Sequence, residues 1–310
     1  MRDLHELPKL RDGLSYLYAE HCSVEQEGLS VSLWDKEGRT LVPAAALAVL
    51  MLGPGASIST AAVKALCDNG CSLVWCGEEG VRCYASATGE TRRARRVLRQ
   101  AEAVVKPELH REAVWRMYER RFGYSLDRDL SLPQIRGMEG ARMRQVYANA
   151  SAEYGVGWHG RRYDRVDWDR GDPVNRALSA ANACLNGVCH AAIVSVGYSP
   201  ALGFVHVGKQ LSFVYDIADL YKAEITIPLA FRLTAESKEG LETRVRHSCR
   251  DSFREGQLLG RIVADMDHVV AYRSVAQEDD GSIDSDPALP ESLWEELLEV
   301  VGHGPDRTGA

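Results

Sequence analysis

Two aspartates three residues apart interrupt an apolar run. Asp216 and Asp219 lie in the stretch LSFVYDIADLY, residues 211–221. On a helix, positions i and i+3 put their Cβ atoms about 5–6 Å apart on one face. Two like charges there repel, and burying them uncompensated is costly. Phe213, Val214, Tyr215, Ile217 and Leu220 around them argue against simple exposure, and a cation between the carboxylates would resolve both costs. A D-x-x-D pair on a solvated helix face is the plain alternative. Glu139 poses a similar question. It falls on the apolar stripe of Ile135, Met138, Met143 and Val146, and so does Arg142. Either the two brace a helix as a buried ion pair, or Glu139 faces inward to a site ringed by Arg136, Arg142 and Arg144.

A fourth candidate donor comes from Gly203-Phe-Val-His-Val-Gly-Lys-Gln. This nearly spells a phosphate-binding G-x4-G-K-[ST] loop, but Gln210 replaces the hydroxyl that would ligate magnesium. Nucleotide hydrolysis is disfavoured. The loop is either a glycine-flexed connection or a device presenting His206 and Lys209. Taken together, Glu139, His206, Asp216 and Asp219 are a set of oxygen and imidazole ligands suited to Mg²⁺ or Mn²⁺. Such a site does phosphodiester chemistry by polarising a phosphoryl oxygen and activating a hydroxyl or water. Spacing alone does not make the four converge.

Arginines supply the complementary charge. Arg92, Arg95, Arg96 and Arg99 share one helix face, as do Arg246, Arg250 and Arg254. Each stripe is either a solvated face or a phosphate track. Trp158, His159, Arg161, Arg162 and Tyr163 interleave rings with guanidiniums, a pattern that stacks on bases and grips phosphates or simply lines a surface loop.

The elements that must position these groups change character along the chain. Residues 1–89 alternate in the β manner, with one helix from Ser59 as N-cap to Gly70 as stop. After Gly89 the period becomes 3.6. Helices are expected over about 91–106, 108–122 and 132–154, and from Pro173 to about 196, with two to four more in 211–275. Residues 276–310 are rich in acid, Gly, Ser and Pro, and are expected to lack a packed core. The expected fold class is α+β: a small N-terminal β-rich, sandwich-like domain (1–89), a larger all-α domain (90–275) and an acidic tail (276–310).

The 310-residue chain has a net charge of −7 from 37 basic and 44 acidic residues, which by itself discourages a polyanion partner. The average conceals unlike parts. Residues 276–310 hold ten acids and one base, whereas residues 91–146 hold fourteen bases and seven acids. The eight cysteines form no C-x-x-C pair, and several read as small core hydrophobes in a reducing compartment. No export signal is evident, and the longest apolar runs are about half the roughly 18 residues of a membrane span. A cytoplasmic protein without membrane contact is expected.

Several of these stretches resemble one family. RGMEGARMR with Glu139, the GRRYDRVDW loop, GYSPALGFVHVGKQLSFVYDIADLY and RHSCRDSFR are similar to the CRISPR-associated integrase Cas1, in its subtype I-E branch. GPGASISTAAVKAL and LVWCGEEGVRCYAS in the β half fit as well. The resemblance implies an N-terminal β domain and a C-terminal α domain that dimerise, with two dimers flanking a dimer of the small partner Cas2. It implies capture of double-stranded prespacer DNA and its insertion at the leader-proximal repeat, each 3′-hydroxyl attacking a phosphodiester, with nuclease activity on branched DNA as a side or reverse reaction. By the same resemblance Glu139, His206 and Asp219 bind Mg²⁺ or Mn²⁺, and Asp216 is a further catalytic acid. Arg82, Arg136, Arg142, Arg161, Arg162, Lys209, Arg246 and Arg250 hold DNA phosphates. A stand-alone structure-selective nuclease, or a non-catalytic DNA scaffold, would use the same residues differently. His21 stands where relatives can place a tyrosine that splays the duplex end, and Asn186 at an aromatic position.

Overall fold

A computed structural model describes residues 16–77, 83–89, 94–161 and 172–271. The expected roles of Arg82, Arg92, Arg162, Tyr163 and the acidic tail 276–310 lie outside the described residues. Among the described residues the first half holds eight strands in two four-stranded sheets. In one, β1 (Tyr16–Ala19), β5 (Val49–Leu52) and β7 (Ser72–Cys76) run parallel, and β8 (Cys83–Ala87) closes the edge antiparallel to β7. In the other, β4 (Arg39–Pro43), β3 (Ser30–Trp34) and β2 (Ser23–Glu27) form an antiparallel meander, with β6 (Ser57–Ile58) parallel to β2. β5 is buried along its whole length, as its unbroken Val-Leu-Met-Leu run requires of an inner parallel strand. Helix α1 (Thr60–Asp68) begins where Ser59 Oγ accepts from the Ala62 N–H and ends at Gly70, whose φ of +74° only glycine takes freely. Val24, Val31, Leu33, Leu50, Leu52, Leu66 and Leu73 from both sheets and α1 form one core.

The second half is helical: α2 (Arg95–Val105), α3 (Pro107–Phe122), α4 (Leu132–Tyr154), α5 (Pro173–Ser195), α6 (Ser212–Ala218), α7 (Ile227–Glu236), α8 (Leu241–Glu255) and α9 (Leu258–Val270). The punctuation is local chemistry. Pro107, Pro133 and Pro173 open their helices, and Gly123 and Gly155 end α3 and α4 in left-handed conformations. Ser131 and Gln134 close a capping box on α4. The chain is thus α+β, with a β-rich N-terminal region and a helical C-terminal region.

Helix α5 is the axis of the helical half. Ala177, Ala181, Cys184, Gly187, Ala191 and Ala192 are buried, and their small size lets α7 and α8 approach closely. Its length and apolarity would suffice to cross a membrane, a property that a scan for unbroken apolar runs does not register. Here most of that apolar surface is buried inside the fold. Ala191 and Val194 of α5 also pack on Val49, Met51, Val74 and Cys76, a small cluster joining helix to sheet.

His190 sits at this junction, its Nε2 3.9 Å from the Cys83 Sγ. Burial lowers its pKa below the ordinary histidine value. A histidine depressed in the folded state favours folding fully above its unfolded pKa, about 6.5, and progressively less as pH falls below it. Stability should therefore decline between pH 7.5 and pH 5.5 by more in the wild type than in His190→Gln. Urea midpoints at the two values measure the difference. Equal declines would remove His190 as the cause.

Candidate active site

The acidic and imidazole residues are placed by three elements. Asp216 lies within α6, and Asp219 is its C-terminal capping residue. Glu139 lies on α4, and His206 in the loop preceding α6. Asp216 is fully buried. Its Oδ2 accepts from the backbone N–H groups of Phe204 (2.6 Å) and Val205 (3.1 Å), and its Oδ1 from that of His206 (2.8 Å). The same Oδ1 lies 2.7 Å from His206 Nδ1. A carboxylate oxygen can only accept there, so Nδ1 donates, and in the neutral ring Nε2 keeps its lone pair. Asp216, expected beside a metal as a further catalytic acid, therefore has both oxygens engaged within the protein. It folds the loop and orients the imidazole, whose side chain is 43% exposed.

Asp219 and Glu139 come together through a residue that the sequence reading passed over. Arg121, near the end of α3 and 5% exposed, has one terminal nitrogen 3.3 Å from Asp219 Oδ2 and the other 3.8 Å from Glu139 Oε1. Each carboxylate has a second, closer cation. Arg142 binds Glu139 through Nε at 2.8 Å and a terminal nitrogen at 3.1 Å, and Lys222 Nζ is 2.5 Å from Asp219. The expected single cation between Asp216 and Asp219 is thus replaced by two solutions: backbone N–H groups at Asp216 and side-chain cations at Asp219. A signal for Arg121 did exist. It lies three and four residues beyond Tyr118 and Met117, both buried, so it belongs to the inward stripe of α3.

The donor set of Glu139, Asp219 and His206 Nε2 suits a hard divalent ion in chemical type. As placed, no three Asp, Glu, His or Cys side chains among the described residues are close enough to hold one. The guanidinium of Arg121 instead lies between the two carboxylates, a positive group where a bridging ion would be attracted.

The cations expected to meet DNA divide into two kinds. Arg136 and Lys209 are exposed, as is Arg250 on α8. Arg246, Arg250 and Arg254 follow Val245, Cys249 and Phe253 by one position, so the stripe faces away from the core into which those three pack. Arg142 is engaged with Glu139, whereas Arg161 bonds the Asn175 carbonyl (2.8 Å), its Oδ1 (2.9 Å) and Ser179 Oγ (2.8 Å) on α5. The stripe on α2 divides too: Arg96 turns inward to Asp267 at 3.1 and 3.0 Å. Trp158 stacks on Tyr147, with centroids 4.4 Å apart, and leans on Phe231, so its ring is shared with the helical core. His21 adopts a φ of +51°, its Nδ1 against Gly55, where a Cβ would be only 2.5 Å away. Asn186 has a buried Oδ1 without a partner among the described residues.

A family model described as CRISPR associated protein Cas1 matches residues 116–243, which run from within α3 through the 203–208 loop and α6. The chain is 52% identical over 301 residues to the CRISPR-associated endonuclease Cas1 2 of Thermus thermophilus, covering 97% of this chain and 92% of that one. It is 41% identical over 269 residues to the CRISPR-associated endonuclease Cas1 of Escherichia coli, covering 86% and 88%. Among solved structures, a TtCas1–DNA complex superposes with a TM-score of 0.77 at 53% identity, covering 86% of this chain and all of that one. Identity at this level, sustained along nearly the whole of both chains, leaves one assignment: the chain belongs to the Cas1 family of CRISPR-associated proteins.

Proposed function

We propose that the chain is a CRISPR adaptation integrase of the subtype I-E branch, acting in the cytoplasm as a homodimer, two dimers flanking a Cas2 dimer. Its substrates are a double-stranded prespacer and the leader-proximal repeat. The observation that carries the reading is the meeting of Glu139 and Asp219 at one buried guanidinium, next to a helix whose Asp216 orients His206. Support for a DNA substrate comes from the exposed cations around the site and from the similar protein solved with DNA.

Glu139, Asp219 and His206 Nε2 would hold Mg²⁺ or Mn²⁺, which when bound supplies a Lewis acid for the phosphoryl oxygens. The protein residues do the rest. Asp216 keeps the proton on His206 Nδ1, so the nitrogen facing outward is a lone-pair donor. Arg136, Lys209, Arg246 and Arg250 neutralise phosphates and fix the DNA register. Positioning the prespacer 3′-hydroxyl in line with the scissile bond accounts for much of the acceleration such a site provides. The hydroxyl oxygen bonds to phosphorus as the bond to the leaving 3′-oxygen breaks, and the proton lost by one hydroxyl is balanced by the one gained at the other. No covalent enzyme intermediate is required. Water in place of the hydroxyl gives endonuclease activity, the activity in the names of the similar proteins.

Purified protein mixed with Cas2, a prespacer bearing 3′-hydroxyls and a leader-repeat plasmid should yield half-site products with Mg²⁺ or Mn²⁺. His206→Ala or Asp219→Ala should lower the rate by about two orders of magnitude or more. An unchanged rate would overturn the site assignment. Cleavage of branched DNA that needs neither Cas2 nor repeat sequence would favour a stand-alone structure-selective nuclease.

A further inference from the structure

Arg121 has an unusual set of contacts for a buried cation. Its two carboxylate contacts are long, at 3.3 and 3.8 Å. Its Nε is buried without a hydrogen-bond partner among the described residues. The Tyr118 ring lies 5.2 Å from its guanidinium carbon, one helical turn earlier on α3. Both carboxylates already have closer cations in Arg142 and Lys222. Arg121 is therefore not needed to neutralise either one singly. What it alone does is stand between them, where like charges from α4 and α6 converge.

We infer that Arg121 is a resident counter-cation for the Glu139–Asp219 pair. It holds the two carboxylates together in the metal-free protein and yields the position when a divalent ion enters. The inference rests on the metal-site reading above and goes beyond it by assigning a residue that sets metal affinity. A divalent ion drawing in both carboxylates at roughly 2.0–2.2 Å must come close to the guanidinium, and the repulsion is strong in a partly dry site. The unpartnered Nε and the loose contacts make the guanidinium cheap to displace, and the electron-rich face of Tyr118 gives it somewhere to lean. The full chain thus binds the ion less tightly than its ligands alone would. In return the carboxylates keep their spacing without it.

The test is a calorimetric Mn²⁺ titration of the purified chain, with Mn²⁺ paramagnetic resonance and melting curves with and without the ion. Arg121→Gln removes the charge but keeps a polar side chain. It should tighten Mn²⁺ binding by about tenfold or more. It should also lower the metal-free melting temperature, and saturating Mn²⁺ should restore most of that loss. Arg121→Lys retains the charge and should stay near the wild-type affinity. A merely structural residue would lower the melting temperature without tightening the metal. Unchanged or weaker Mn²⁺ binding by Arg121→Gln overturns the inference. Should that variant not fold, Tyr118→Leu removes the ring on which the displaced guanidinium leans, and it must weaken Mn²⁺ binding for the inference to stand. Glu139→Ala and Asp219→Ala separate the two levels. If they abolish wild-type binding while Arg121→Gln leaves it unchanged, only the Arg121 role has failed. If Mn²⁺ binds neither the wild type nor these variants, or binds all of them alike, the metal-site reading fails and takes the inference with it.

Discussion

Replacing Asp216 by alanine should destabilise the protein by about 3 kcal/mol or more, since each buried donor left without a partner costs about 1–3 kcal/mol. Three backbone N–H groups and the His206 ring nitrogen converge on this one carboxylate. Among the described residues no other side-chain acceptor serves those backbone donors, and Asp216 itself is buried. Asn is a poor substitute, because its amide would turn an N–H₂ group toward backbone N–H donors. Both variants should also lose the fixed imidazole and show integration rates as low as His206→Ala. Urea unfolding gives the stability term, and half-site product formation gives the chemical one. A stability loss below about 1 kcal/mol would mean that water reaches the loop donors and that the loop does not depend on Asp216.

Gly203→Ala should destabilise by a similar amount, about 3 kcal/mol, at the upper end of the usual cost of overpacking. A Cβ at this position would lie 2.2 Å from the His206 carbonyl oxygen, 2.8 Å from Ser212 Cβ and 2.9 Å from the Ser212 carbonyl carbon. Two of the three obstacles are backbone, so no rotamer change relieves the clash. The loop would have to open, and with it the bonds to Asp216. Gly208→Ala is the internal control. Its φ is +81°, but a Cβ there meets nothing within 4 Å, so only the left-handed strain of about 1 kcal/mol remains. Denaturant midpoints of the two variants should rank in that order. Equal losses would point to backbone conformation rather than crowding at Gly203.

The near-match to a nucleotide-binding loop is thereby explained in other terms. Gly203 is required for close packing inside a loop wrapped on Asp216, and Gly208 for a left-handed turn. Features of this local kind were legible in the sequence. Ser59, Gly70 and Pro173 each mark a helix end by chemistry confined to a few residues. The order of strands was not. β1, β5 and β7 pair in parallel across long connections, and period-2 alternation carries no information about which strand lies beside which. The site divides along the same line. Asp216 and Asp219 stood out because a charge in an apolar run is conspicuous. Their separate neutralisation did not, because Arg121 lies 98 residues from Asp219 in the chain. The Arg142–Glu139 pair, only three residues apart, could be foreseen as one of two readings. The inward turn of Arg96 depends on Asp267 of α9, so counting cations on a helix face overstated the surface they offer.

The way Asp216 gathers the loop has a thermodynamic consequence. Fixing one residue's backbone costs about 1–2 kcal/mol of conformational entropy. For Phe204, Val205 and His206 that loss occurs at folding, when their N–H groups close on a single carboxylate. A ligand arriving at His206 and Lys209 meets a frame that is already ordered, so its association should carry the heat-capacity change of surface burial alone, with no added signature of coupled folding.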